Sequence, residues 1–168
     1  HDLVVRGDGE CADEVTALFS GIPQKGLTVG KDDAPVTITE YLDIQCPHCA
    51  SAAVGTLPTL ISTHVKAGRV KLVLRPVAFL GPDSKAGALA VIAAGEQNAA
   101  GPYAELLFRN QGTENSGWVS DGMMRTAATE LGLEGSQEGD GHADTLEAGA
   151  APARATTYSC RHVDGRAR

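Results

Sequence analysis

The sequence predicts a single α/β domain, and three observations carry that prediction. Val36 to Ile44 is a largely β-branched, apolar run that reads as a strand. From Cys49 to Val65 the apolar residues recur at helical spacing, and Val70, Leu72 and Leu74 then alternate with Lys71, Val73 and Arg75 as a second strand. Strand, helix and strand make one parallel βαβ unit with a right-handed crossover. A chain of 168 residues has the size of one domain and can bury roughly two thirds of its unfolded surface.

The elements follow in order. Residues 1–34 form an entry segment, in which Val15, Leu18, Phe19 and Ile22 share one face of a short helix before the Pro23 and Gly26 turn. That helix is expected on the outside of the domain. Pro35 leads into the first strand, whose more continuously apolar end suits a central position in a sheet. In the following helix Ala53, Val54, Leu57, Leu60, Ile61 and Val65 face inward, Pro58 introduces a kink, and Gly68 ends the element.

After Gly81-Pro82-Asp83-Ser84 the pattern stays helical over about 84–133. Ser84 is expected to cap a helix with Leu89, Val91 and Ile92; Pro102 opens one with Tyr103, Leu106 and Leu107; Val119 to Leu131 supplies a third, facing inward with Met124, Ala127, Ala128 and Leu131. Met123 and Met124 read as core filler. The helices therefore form an insertion after the βαβ unit. Residues 135–168 change character: Ser136 to Gly149 is polar and glycine-rich, Ala and Arg dominate the close, and only Thr156 to Val163 has strand character.

Where the first strand meets its helix stands Cys46-Pro47-His48-Cys49. If the helix begins at Pro47, Cys46 is its N-cap, where unpaired N–H groups and the positive end of the helix dipole stabilise a thiolate. Cys46 is then the nucleophile. Pro47 suits the first helical position because its missing donor costs nothing there. Cys49 lies one turn on along the same face, within reach for a reversible disulfide. His48 adds N–H donors and partial positive charge beside the thiolate, making the disulfide easier to reduce and the chain a disulfide donor. Two other readings stand beside this one: a structural vicinal pair, and half of a zinc site completed by Cys160 and His162.

Cys11 and Cys160 complete an even count, and either form a second, structural disulfide or stay unrelated thiols. Net charge is −7, from 14 basic and 21 acidic residues, and no basic block tracks a phosphate backbone, so nucleic acid is not an expected partner. No run reaches the roughly 18–20 apolar residues of a membrane span. The start at His1, without a charged-then-apolar leader, reads as a processed or excised chain. An oxidising C-x-x-C site is most useful outside the cytoplasm. Glu40 and Arg75 read as solvated charges on their strands.

These residues resemble a known family. Ala34-Pro35-Val36-Thr37-Ile38, Asp43-Ile44-Gln45-Cys46-Pro47-His48-Cys49 and Arg75-Pro76-Val77-Ala78-Phe79-Leu80-Gly81-Pro82-Asp83-Ser84 are similar to thioredoxin-fold thiol-disulfide oxidoreductases of the DsbA type from bacterial envelopes. The segment from Asn110-Gln111-Gly112 to Ser116-Gly117-Trp118-Val119 is similar to the helical insertion of actinobacterial-type members. The likeness covers about residues 15–134. It implies a thioredoxin-like domain over 35–168, interrupted by the helices, with Cys46 as the solvent-facing attacking thiol, Cys49 as the buried resolving one and His48 tuning the potential. It implies no cofactor. Substrates would be exported proteins with reduced cysteines, and a membrane oxidase would regenerate the disulfide. The chain would work in the periplasm or cell envelope, with any membrane anchor in a segment outside this sequence.

One family feature is missing. A cis-proline, usually in a Thr-Pro or Val-Pro pair, stands opposite the active cysteine in the family. Here Arg154-Ala155-Thr156-Thr157-Tyr158 lacks the proline, and Pro152 lies in an alanine run. The C-terminal half of the sheet is accordingly expected to be divergent or incomplete. An isomerase or reductase on the same fold, and a C-x-x-C fragment that binds metal or a partner without turnover, are the rival functions.

Overall fold

The computed structural model describes residues 10–134. Helix α1 (Glu10–Phe19) comes first. Gly21, at φ 75°, turns the chain out of it, and Ile22 N–H donates back to Phe19 O at 3.1 Å. As expected of a helix on the outside of the domain, α1 buries one face, with Cys11, Val15 and Phe19, against α5 (Ala100–Arg109) and leaves Asp13, Glu14, Thr16 and Ala17 exposed. Cys11 is disulfide-bonded, whereas Cys46 and Cys49 are free thiols. Cys160, His162 and the whole stretch 135–168, with Pro152 and the strand expected near 156–163, lie outside the described residues.

A short hairpin follows that the sequence did not announce, β1 (Gln24–Lys25) and β2 (Thr28–Val29). Its turn uses Gly26 at φ 58°, whose N–H is held by Asn98 Oδ1 at 3.0 Å. Strand β3 (Val36–Leu42) and strand β4 (Val70–Pro76) pair in parallel, from Val36 opposite Val70 to Leu42 opposite Pro76. Strand β2 pairs antiparallel with the other edge of β4, giving the order β1-β2-β4-β3. The described strand with partners on both edges is therefore β4, which buries Val70, Leu72 and Leu74. Strand β3, expected to be central, stands at the end of the described sheet and buries only Leu42; Val36 is 49% and Tyr41 70% exposed.

Between β3 and β4 the helical segment is irregular at Pro58, where a kink is expected, although Thr56 keeps right-handed helical dihedrals, φ −99° and ψ −43°, and Leu60 N–H bonds Thr56 O at 3.2 Å. Helix α2 (Pro47–Gly55) stops at Thr56, α3 (Leu57–Leu60) restarts with Pro58 in its first turn, and Ile61–Val65 forms a π-helical turn. The restart is where a proline is tolerated, since the first helical turn needs no N–H from it. Ile61 and Val65 are buried, and Gly68 at φ 72° closes the segment as expected.

The insertion is α4 (Pro82–Glu96), α5 and α6 (Asp121–Glu130). Helix α4 begins two residues before Ser84, with Gly81 as N-cap and no side-chain capping bond, so Ser84 is not a cap but a buried residue of the first turn. Of the three apolar residues expected there, Val91 is buried while Leu89 and Ile92 are exposed. Ser120 caps α6, accepting from Met123 N–H at 3.2 Å, and Met123 and Met124 pack in or against the core. Helix α5 is the hub, buried from Ala100 to Phe108 and packed against α1, α2, α4 and α6. Gly101 permits this approach: a Cβ there would lie 2.8 Å from Phe19 and 2.9 Å from Val29. Each Leu or Val fully buried around this helix is worth roughly 1.5–3 kcal/mol. Among the described residues no helix is long and apolar enough to cross a membrane.

Candidate redox site

Helix α2 starts at Pro47 because β3 ends and the chain turns through Asp43-Ile44-Gln45, with Cys46 N–H donating to Asp43 O at 2.9 Å. Cys46 adopts the extended conformation of an N-cap, φ −72° and ψ 117°, and its Sγ accepts the Cys49 N–H at 3.4 Å. The thiol sulfur thus stands where a serine or aspartate oxygen caps other helices. Pro47 occupies the first turn, as expected, and His48 is exposed on its outer side.

The two cysteines are less different in exposure than an exposed nucleophile and a buried partner would be. Both are half-buried, with Cys49 packed against the core. They differ in electrostatics. Burial pushes the Cys49 thiol up to about 11; a hydrogen bond from the Asp43 backbone N–H opposes this, while the hydrogen bond to Cys46 and the charges of Cys46 and Glu40 reinforce it. Cys49 therefore stays protonated at neutral pH.

Glu40 is not the solvated charge the sequence suggested. It is half-buried and lines a small apolar cavity of about 20 Å³ with Leu42, Ala53, Leu57 and Glu105, and burial raises its pKa. Glu105 on α5 is raised to about 7 by burial, which outweighs the charge and hydrogen bond of Arg109, with Glu40 adding to the rise. Arg109 Nε meets Glu105 Oε1 at 2.9 Å, and its Nη1 meets Glu14 Oε2 of α1 at 3.0 Å. Arg75 is exposed, as expected.

The turn before Cys46 is held by a polar network of residues that carry no catalytic pattern of their own, although Asp43, Gln45, Ser84 and Gln111 all lie in the motifs of the family resemblance. Asp43 is fully buried and accepts four hydrogen bonds: Oδ1 from Gln45 N–H at 2.9 Å and Ser84 Oγ–H at 2.7 Å, Oδ2 from Phe79 N–H at 2.9 Å and Leu80 N–H at 3.3 Å. Gln45 donates from Nε2 to Ser84 Oγ and Asn115 Oδ1, both at 3.1 Å, and accepts Asn115 N–H at 2.6 Å. Gln111, just beyond α5, donates from Nε2 to Ile44 O at 2.7 Å and Cys46 O at 3.1 Å. Buried polar groups hold their place only when paired, and the partners here come from three separate elements. Among the described residues no group of three or more His, Cys, Asp or Glu could hold a metal ion.

A family model described as thioredoxin matches residues 23–158. The "Probable disulfide bond formation protein D" of Bacillus cereus is 29% identical over 120 residues, 70% of this chain and 55% of the relative. The "Disulfide bond formation protein D" of Bacillus subtilis is 34% identical over 109 residues, 62% of this chain and 49% of the relative. The crystal structure of oxidised BdbD from Bacillus subtilis superimposes with a TM-score of 0.58 at 30% identity, covering 64% of this chain and 62% of that one. The chain spans about half the length of these curated relatives.

Proposed function

Because this chain belongs to the thioredoxin family, we propose that it is a thiol-disulfide oxidoreductase that donates the Cys46–Cys49 disulfide to reduced cysteines of exported proteins. The observation that carries the reading is the asymmetry of the two free thiols at the start of α2: Cys46 Sγ receives a helix N–H, and Cys49 is pushed up to about 11. The names and structures of the disulfide bond formation relatives support the same chemistry.

In the donor direction the oxidised chain holds an S–S bond between Cys46 and Cys49. A substrate thiolate attacks Cys46 Sγ, the S–S bond breaks, and Cys49 leaves as a thiolate that takes up a proton, which its high pKa favours. A second substrate thiolate attacks the substrate sulfur of the mixed disulfide and expels Cys46 as a thiolate. The substrate gains a disulfide, and the chain gains two electrons. Stabilising the departing Cys46 thiolate at the helix start makes this last step favourable. In this reading Pro47 fixes the first turn and His48, exposed beside the thiol, adds positive character that raises the potential. A membrane oxidase that accepts the two electrons completes the cycle, and the work is done in the periplasm or cell envelope, where disulfides persist.

The test is the equilibrium of the Cys46–Cys49 pair with glutathione, with Cys46→Ser as the control. A potential clearly above thioredoxin's roughly −270 mV is expected of a donor. A thioredoxin-like potential would assign the chain to reduction instead, and failure to form a reversible disulfide would overturn the oxidoreductase reading.

A further inference from the structure

We propose that Gln111 is a positioning residue for Cys46, and that with Gln45 it makes the helical insertion part of the redox site. The inference rests on the redox reading of the Cys46–Cys49 pair above. Gln111 is only 8% exposed, and its side-chain amide donates to both carbonyls that flank Gln45, Ile44 O and Cys46 O. Cys46 O also accepts the Ala50 N–H at 3.0 Å, the first hydrogen bond of α2. The second bond to that oxygen fixes the direction of the N-cap carbonyl, and with it the orientation of the residue that carries the thiol.

Gln45 reaches the opposite way, from the thiol turn into the loop after α5, where Asn115 both donates to and accepts from its amide. Two glutamines therefore cross one interface in opposite directions. The anchoring side is closely packed. Gln111 N–H donates to Phe108 O at 3.2 Å, and Gly112 lies so close under Trp118 that a Cβ would stand 2.6 Å from the indole Cγ. Packing alone would be served by an apolar side chain at 111; a buried amide is unfavourable there unless both its donors find the turn carbonyls.

The chemical consequence falls on one redox state. The Cys49 N–H contact with Cys46 Sγ stabilises a thiolate, a charge the disulfide does not carry. An orientation that improves this contact therefore favours the reduced form and makes the chain the stronger oxidant. Losing Gln111 should move the equilibrium toward the disulfide.

The experiment measures the equilibrium constant of the full chain with glutathione for wild type, Gln111→Met, Gln111→Asn and Gln97→Met. Gln111→Met keeps the length and removes the donors. Gln111→Asn keeps a buried amide but is one methylene too short to reach Cys46 O, and so tests the contact if the first variant does not fold. Gln97 bonds Glu134 O at 3.1 Å at a remote, exposed site, and its variant controls for general loss of an amide. Both Gln111 variants are expected to lower the constant for reduction by at least about fivefold, or roughly 20 mV for a two-electron couple, with Gln97→Met at the wild-type value. A constant within twofold of wild type in the folded Gln111 variants, even with a lower urea midpoint, would reduce the residue to a structural role and overturn the proposal. Should wild type form no reversible disulfide, the redox reading fails by itself. The alkylation rate of Cys46 then decides the positioning claim: at least threefold slower in Gln111→Asn upholds it, and an unchanged rate ends it.

Discussion

Glu105→Gln should make the chain more stable than wild type above neutral pH, and by an amount that grows with pH. Glu105 is 3% exposed and its pKa is raised from 4.5 to about 7 by burial, against the opposing pull of Arg109. Between those two pH values the folded chain keeps a proton on Glu105 that the unfolded chain has released. The unfolded state then binds fewer protons, so the stability falls as pH rises through this window. At about 1.4 kcal/mol for each pH unit from 4.5 to 7, ionising the buried carboxyl costs about 3 kcal/mol, fully present only above pH 7. Glutamine has no carboxyl to ionise, and it replaces the bond to Arg109, an ion pair only where Glu105 is ionised, with a neutral hydrogen bond. Urea unfolding of both proteins from pH 4 to pH 8.5 reads the effect of Glu105 together with its coupling to Glu40. The stability of Glu105→Gln minus that of wild type should climb by about 3 kcal/mol across the series. A difference that stays flat, or falls, would refute the argument that burial outweighs Arg109 at this site.

Two further outcomes follow from the geometry. With Cys49 pushed up to about 11, a limiting amount of iodoacetamide at pH 7 should label Cys46 and leave Cys49 free, read by peptide mass after digestion; equal labelling would contradict the asymmetry on which the donor mechanism rests. Gly101→Ala should lose about 1–3 kcal/mol in urea unfolding, since its Cβ would stand 2.8 Å from Phe19 and 2.9 Å from Val29 in a packed core; a neutral result would mean that α5 can move away from α1 and β2 without loss.

Features with a local cause were the legible ones. The strands β3 and β4, the start of α2 at Pro47 and the stop at Gly68 each follow from a pattern within a few residues, and the parallel pairing of the two strands follows from the helix between them. The hairpin was not legible because each of its strands has two residues, too few for alternation to register. Ser84 was misread because a serine after Pro-Asp suits a cap as well as a first turn, and what decides is Asp43, 41 residues away. Glu40 did carry a signal: it is in phase with Val36, Ile38 and Leu42, which puts it on their face of β3, but a glutamate on a strand is most often solvated. Of the candidate site, the residues at the start of α2 were apparent from their spacing. The amides that hold them were not, because a glutamine serving a carbonyl 65 residues earlier leaves no periodic trace.

The long reach of those amides has a meaning for how the site comes into being. The bonds that define the thiol turn join residues 41, 65, 67 and 70 positions apart, whereas the helices of the insertion follow one another along the chain. Closing such distances carries a loop entropy that sequential helix contacts do not, so assembly favours neighbouring helices before the two halves meet. The same separations operate in reverse. Any opening that lifts the insertion from the sheet breaks the bonds from Gln111, Asn115 and Ser84 in one event, and so couples the reactivity of Cys46 to the integrity of the whole domain rather than to the few residues around it.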